Sequence, residues 1–184
     1  MFNELVDIAS SIKWQPSSYP THCTQNILSW LLDEMSLTKK LQNQCETFSV
    51  DVKQQSHTDA TNASLSPYFP LPEKVFVREV LLCCDGIETV FAQTEIPYQT
   101  LSDTQKNLTE IGSESLGKFL FQESTLRRGE IEIAEFPIGS KLHALCDDLK
   151  QGCEHTLWAR RSLFYIKDKP LLVSEIFLPA SGIY

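Results

Sequence analysis

From Val75 to Cys84 the chain reads VFVREVLLCC, almost entirely β-branched, aromatic or aliphatic, and Asp85-Gly86 follows at once. That order predicts a β-hairpin, because a tight two-residue turn needs positive φ at its centre and Asp-Gly supplies it. The return strand spans about Thr89 to Ile96 and stops at Pro97, which has no N–H to give to a ladder. A second hairpin is expected from Leu157–Ile166 and Leu171–Leu178 around Lys167-Asp168-Lys169-Pro170. Phe48, Val50 and Val52 alternate with polar residues, and Ile131 and Ile133 mark a further strand. Six strands, mostly joined as neighbours, call for an antiparallel sheet.

Helical signals fall between the strands. Thr24 is placed to cap a helix over Cys23–Glu34, whose Ile27, Leu28, Trp30, Leu31 and Leu32 form a broad apolar face. Ser36 opens a second helix, with Leu37 and Leu41 one turn apart. Residues 103–121 read as mainly helical, broken around Gly112 and Gly117, whereas 54–72 read as an exposed polar loop and 137–156 as an irregular excursion. A chain of 184 residues fits one domain (1–184), large enough to close a core around a small ligand. The expected fold class is α+β: a single domain with about six antiparallel strands, and helices covering an internal ligand cavity.

Charge removes several function classes. A formal net charge of −8 argues against nucleic acid as a partner, since phosphate binding needs clustered Lys and Arg. No apolar run approaches the length of a membrane span, and MFNELVDIASSIKW has acids where a signal peptide has a basic start, so a cytoplasmic setting is expected. The six cysteines are then reduced thiols, with Cys83 and Cys84 pointing to opposite faces of their strand. The glycosylation patterns at Asn62 and Asn107 are inert in that setting. His143, Cys146, Cys153 and His155 have the residue types of a metal site, but their spacing matches no standard zinc module, and no metal is expected. The chain also lacks a P-loop, a G-x-S-x-G elbow and a dinucleotide-binding fingerprint.

What stands out is charge on apolar strand faces. Glu175 alternates into the face of Leu171, Val173 and Phe177, and a carboxylate there is costly without a partner. It is either an edge-strand acid that reaches water, an acid satisfied by a structural arginine, or a functional group. Arg78 shares a face with Phe76, Val80 and Leu82, where a guanidinium suits a bound carboxylate, an internal ion pair or a snorkelling side chain. The pairs Arg127-Arg128 and Arg160-Arg161 each send one side chain inward if extended, although such pairs most often belong to a solvated face.

Four blocks then carry a family resemblance: LSWLLDEMSLTKKL, VREVLLCCDG, SLGKFLFQESTLRRGEIEI and the C-terminal LWARRSLFYIKDKPLLVSEIFLPASGIY. In this order, over roughly Ile27 to Tyr184, they resemble the bacterial chorismate–pyruvate lyases of ubiquinone biosynthesis. The resemblance implies a lyase that turns chorismate into 4-hydroxybenzoate and pyruvate, as a monomer without cofactor. It places substrate contacts at Leu37 in the Ser-x-Thr-Lys segment, Arg78 in VREVLL, Leu116 (through its backbone) in SLGKFLF, and Glu175 in SEIFLP. Arg78 and Glu175 would be the catalytic pair, with Arg128 a further candidate for a substrate carboxylate. Ala159 stands where relatives commonly have Gly, Leu37 where many have Met, and the stretch between about Pro137 and His155 is longer than in close relatives. In fold the family is similar to effector-binding domains of bacterial transcription regulators, so a sensor of small aromatic acids is the alternative.

Overall fold

The computed structural model describes residues 12–18, 22–59, 74–104, 112, 114–120 and 123–184. Seven strands form one sheet: β1 (Gln15–Pro16), β2 (Phe48–Asp59), β3 (Lys74–Cys84), β4 (Ile87–Pro97), β5 (Arg127–Phe136), β6 (Leu157–Ile166) and β7 (Lys169–Phe177). Their order is β1-β5-β6-β7-β4-β3-β2, and every neighbouring pair is antiparallel. The six strands read from the sequence are β2 to β7, and β1 adds two residues beside Ile133 and Glu132.

Both hairpins close through two residues at positive φ. Asp85 and Gly86 have φ of 51° and 79°, and Lys167 and Asp168 have 49° and 64°. The second turn accepts the cost of two side chains in the left-handed region, and Ile166 and Lys169 pair directly across it.

Among the described residues, five α-helices fill the connections: α1 (Gln25–Leu31), α2 (Leu37–Gln42), α3 (Tyr98–Thr104), α4 (Leu116–Leu120) and α5 (Lys141–Asp148). The expected caps are in place: Thr24 Oγ1 accepts from Ile27 N and Ser36 Oγ from Lys39 N. Trp30, Leu31, Leu37 and Leu41 bury against one face of the sheet, with Val80, Leu82, Val90, Ile133, Trp158 and Phe177. The opposite face carries Leu81, Cys83, Phe91, Ala134, Phe136, Ala159 and Ile176, covered by Leu142, Leu145 and Cys146 of α5. Cys83 and Cys84 do part to the two faces, and the six cysteines are free thiols.

Three expectations need correction. Residues 54–59 are strand, not loop: Gln54 to Asp59 pair with Glu79 to Lys74. Their polar character fits an edge strand, which has one laddered neighbour and stays half in water. The rest of the expected loop, 60–72, lies outside the described residues, as do Asn62 and Asn107. The excursion at 137–156 contains α5, capped by Ser140 Oγ on His143 N at 3.1 Å. Gly117 does not break a helix either, since α4 runs through it, while α3 begins at Tyr98, ahead of the expected start. Residues 105–111 of that segment lie outside the described residues.

Candidate active site

Between the α1–α2–α4 side and the sheet lies a cavity of about 590 Å³, solvent at its mouth included. Leu37, Arg78, Leu116, Arg128 and Glu175 all line it, so the fold brings together every candidate from five separate elements. Val80, Ala92, Phe164 and Val173 supply apolar wall, and Ser36, Thr38 and Ser115 supply hydroxyls. Such a mix of apolar wall and few polar groups is what small-ligand sites use.

The floor is strand alternation at work. Arg78 sits across from Thr94, which sits across from Val173, and all three line the cavity. One step along, Val80, Ala92, Glu175 and Arg160 form the next row. Glu175 is therefore on a central strand and not an edge. Its Oε2 accepts from Arg160 Nε at 2.6 Å, so the structural-arginine alternative is correct as far as its pairing goes.

Arg160 is the residue sequence reasoning passed over. The expectation of a solvated face for Arg160-Arg161 fails: Arg160 is 1% exposed and Arg161 7%. They point to opposite faces of β6, and Arg161 Nε reaches Glu132 Oε2 at 2.8 Å away from the cavity. The signal was available, because Arg160 alternates with Trp158 and Phe164 just as Arg78 does with Phe76 and Val80. Arg160 Nη1 also donates to the carbonyls of Trp30 at 2.8 Å and Asp33 at 2.6 Å.

Arg128 reaches the cavity because of a bulge. Arg128 pairs with Phe164 and Ile131 with Ser162, so β5 has one residue more than β6 over that stretch. The extra residue shifts the alternation and puts Arg128 on the face of Ile131 and Ile133. Gly129 suits the bulge, since a Cβ there would lie 3.3 Å from Leu163 O. Arg128 Nε donates to Ser162 Oγ at 3.0 Å and Nη1 to Asp33 O at 3.2 Å. Burial and the neighbouring Arg160 charge lower its pKa, opposed by Glu175 and other carboxylates. Its neighbour Arg127 faces solvent and pairs with Asp168.

Arg78 is 3% exposed. Its Nη2 donates to the carbonyls of Gly112 at 2.9 Å and Glu114 at 3.1 Å, while Nε is buried without a hydrogen-bond partner among the described residues. Burial lowers its pKa. A buried N–H of a cation left open beside a cavity is costly, and an anionic ligand would satisfy it.

The metal candidates do not assemble. Among the described residues no group of three His, Cys, Asp or Glu side chains is arranged to hold an ion. His143 and Cys146 are buried side chains of α5 itself, and Cys153 bonds locally to His155. Nor, among the described residues, is any helix long and apolar enough to cross a membrane.

The chain is 55% identical over 180 residues to the probable chorismate pyruvate-lyase of Psychromonas ingrahamii, covering 98% of this chain and 97% of that one. It is 33% identical over 189 residues to the chorismate pyruvate-lyase of Erwinia tasmaniensis, covering 100% and 95%. Among solved structures, the effector domain of PhnF from Mycobacterium smegmatis matches with a TM-score of 0.58 at 15% identity, covering 80% of this chain and 90% of that one. A GntR-family transcriptional regulator from Bacillus cereus matches at 0.53 and 12%, covering 72% and 92%. Those two likenesses establish the shared sheet-and-helix fold. The family model for chorismate lyase matches residues 8–184, and with a relative this similar along nearly its whole length the chain belongs to the chorismate lyase family.

Proposed function

We propose that this chain cleaves chorismate to 4-hydroxybenzoate and pyruvate. One observation carries the reading beyond family membership: the cavity lining holds Arg78, Arg128 and Arg160 against the single carboxylate of Glu175. Inside a molecule of net charge −8, that is a local surplus of two positive charges, matched to a dianion.

Chorismate is a dianion with a ring carboxylate and an enolpyruvyl ether that bears a second one. Cleavage breaks the ring C–O bond. The hydrogen on the adjacent hydroxyl-bearing ring carbon passes to the enolpyruvyl methylene through a six-membered array, leaving pyruvate and an aromatic ring. Atoms and electrons balance within the substrate, so the step calls for no redox partner or Lewis acid. The protein contributes position and field. Arg78 takes the carboxylate that stays on the ring, through the open Nε. Glu175 accepts from the ring hydroxyl at the other end and fixes orientation. Arg128 faces the enolpyruvyl carboxylate, and its crowding against Arg160 is relieved when an anion arrives. Leu37 and Leu116, at the first residues of α2 and α4, belong to the cover.

The finer parts are one domain over 1–184 in a cytoplasmic setting, as the sequence leads one to expect, and, from the family resemblance, a monomer without cofactor that feeds ubiquinone biosynthesis. The test is incubation of the purified chain with chorismate and a chelator, with both products followed by chromatography. Equal release of 4-hydroxybenzoate and pyruvate is expected. Tight binding of 4-hydroxybenzoate with no turnover would replace the lyase by a sensor, and loss of turnover on chelation would overturn the metal-free mechanism.

A further inference from the structure

We propose that Arg160 is a positioning residue that makes the orientation of Glu175 and the seating of the cavity's cover a single event. The proposal rests on the lyase reading for its kinetic consequences and on geometry for the coupling itself.

The guanidinium is shared between two structures. One side, Nε, holds Glu175 Oε2 at 2.6 Å. The other, Nη1, holds Trp30 O at 2.8 Å and Asp33 O at 2.6 Å. Those carbonyls lie around the C-terminus of α1, which ends at Leu31, where a helix leaves its last carbonyls without partners of its own. From Asp33 the chain runs directly into Met35, Ser36, Leu37 and Thr38, all of which line the cavity. The carbonyl of Asp33 also accepts from Arg128, and its carboxylate from Lys40 Nζ at 2.8 Å. The root of the cover is thus pinned to the sheet by two arginines and to α2 by a lysine.

Packing alone does not account for a charge here. A buried ion pair can frequently be replaced by apolar side chains without loss of stability, so its distinctive contribution is a defined geometry. With Oε2 held by Arg160, Glu175 has its other oxygen for the ring hydroxyl. If the cover lifts, Nη1 loses its carbonyls and the guanidinium that orients Glu175 is released with it. Lysine cannot replace this arrangement, because one ammonium on a flexible stem lacks the planar fork that spans both sets of acceptors.

The experiment compares Arg160→Lys with the wild-type chain, each with and without Glu175→Ala, under single-turnover conditions with chorismate. Release of 4-hydroxybenzoate is measured separately, and thermal unfolding checks the fold. Arg160→Lys is expected to slow the single turnover by about 30-fold, within the range for losing a hydrogen bond to a charged group, and to speed product release at least several-fold. In the Glu175→Ala background its effect on turnover should shrink to below about threefold, since contacting residues are not additive. Wild-type turnover in Arg160→Lys, or an equal loss in both backgrounds, overturns the proposal while leaving the lyase reading intact.

A second readout needs neither Arg160 variant nor activity. Amide hydrogen exchange across residues 33–38 should be at least several-fold faster in Glu175→Ala than in Glu175→Gln, which keeps an acceptor for Arg160 Nε. Equal exchange in the two overturns the coupling, even if the wild-type chain forms no 4-hydroxybenzoate and the lyase reading falls separately.

Discussion

Gly117 and Thr38 meet without room for another atom: a Cβ on Gly117 would lie 2.9 Å from Thr38 Oγ1. Through this contact α4 touches the start of α2, and Ser36, Thr38, Ser115 and Gly117 close together over the ligand space. Alanine is the better helix former by up to about 1 kcal/mol, so Gly117→Ala should alter thermal stability little. It should instead part the two helices. The expected result is weaker 4-hydroxybenzoate binding, by about three- to tenfold, with partial recovery on adding Thr38→Ala, as for coupled neighbours. Calorimetric titration of the wild-type chain and both variants checks this, and unchanged affinity in Gly117→Ala would mean the contact does not control closure.

Arg78 should separate carboxylate recognition from simple packing. Among the described residues its Nε is the open donor, while Nη2 is committed to Gly112 O and Glu114 O. Arg78→Lys keeps a cation but not the fork, and loss of hydrogen bonds to a charged group corresponds to about 1.5–3 kcal/mol, or roughly 10- to 150-fold in affinity. The loss is expected for 4-hydroxybenzoate and not for phenol, which lacks the carboxylate. If both ligands weaken equally, Arg78 acts by holding the approach to α4.

How far the sequence reaches is clearest at the arginines. Arg78 and Glu175 were visible because each interrupts an apolar alternation on a strand whose phase is regular. Arg160 interrupts one equally well, yet its pairing with Arg161 resembles surface charge, and only the central place of β6 in the sheet buries both faces. Arg128 was beyond such reasoning, since the bulge before Ile131 decides its face and a bulge leaves little trace in side-chain type. The hairpins and the caps at Thr24 and Ser36 depend on neighbours in sequence and were legible. The extent of β2 depends on a partner strand, and there polar composition misled.

Alkaline pH should destabilise the fold through two thiols. Burial, together with Cys45, pushes Cys84 up to about 11, and burial together with Cys153 pushes Cys146 up to about 12. Both are therefore protonated in the folded chain at pH values where they ionise once unfolded, near their ordinary value of 9.0. Their contribution is fully present below about pH 9 and is lost as pH rises through the folded values, because the unfolded state then binds fewer protons. Melting temperatures from pH 8 to 11 should fall less steeply in Cys84→Ala/Cys146→Ala than in the wild-type chain. Parallel slopes would remove the thiols from the account.

Glu175 can be asked directly whether it moves a proton or holds a hydroxyl. The internal hydrogen transfer needs no external base, and Arg160 already occupies Oε2 as an ion pair. Orientation is therefore the expected role, and Glu175→Gln preserves much of it, because the amide oxygen still accepts from Arg160 Nε while the amide NH2, in place of the other oxygen, donates to the ring hydroxyl. Single-turnover conversion of chorismate should drop by no more than about tenfold in Glu175→Gln, the size of a weakened charged hydrogen bond. Glu175→Ala removes the acceptor and leaves Arg160 without its partner, so a loss of about 100-fold is expected, near the upper end for hydrogen bonds to a charged group. Two results would decide between the roles. A glutamine variant as slow as the alanine variant would make the charge itself essential and reopen proton transfer, whereas full wild-type turnover in Glu175→Gln would end the case for a base and leave the orienting contact standing.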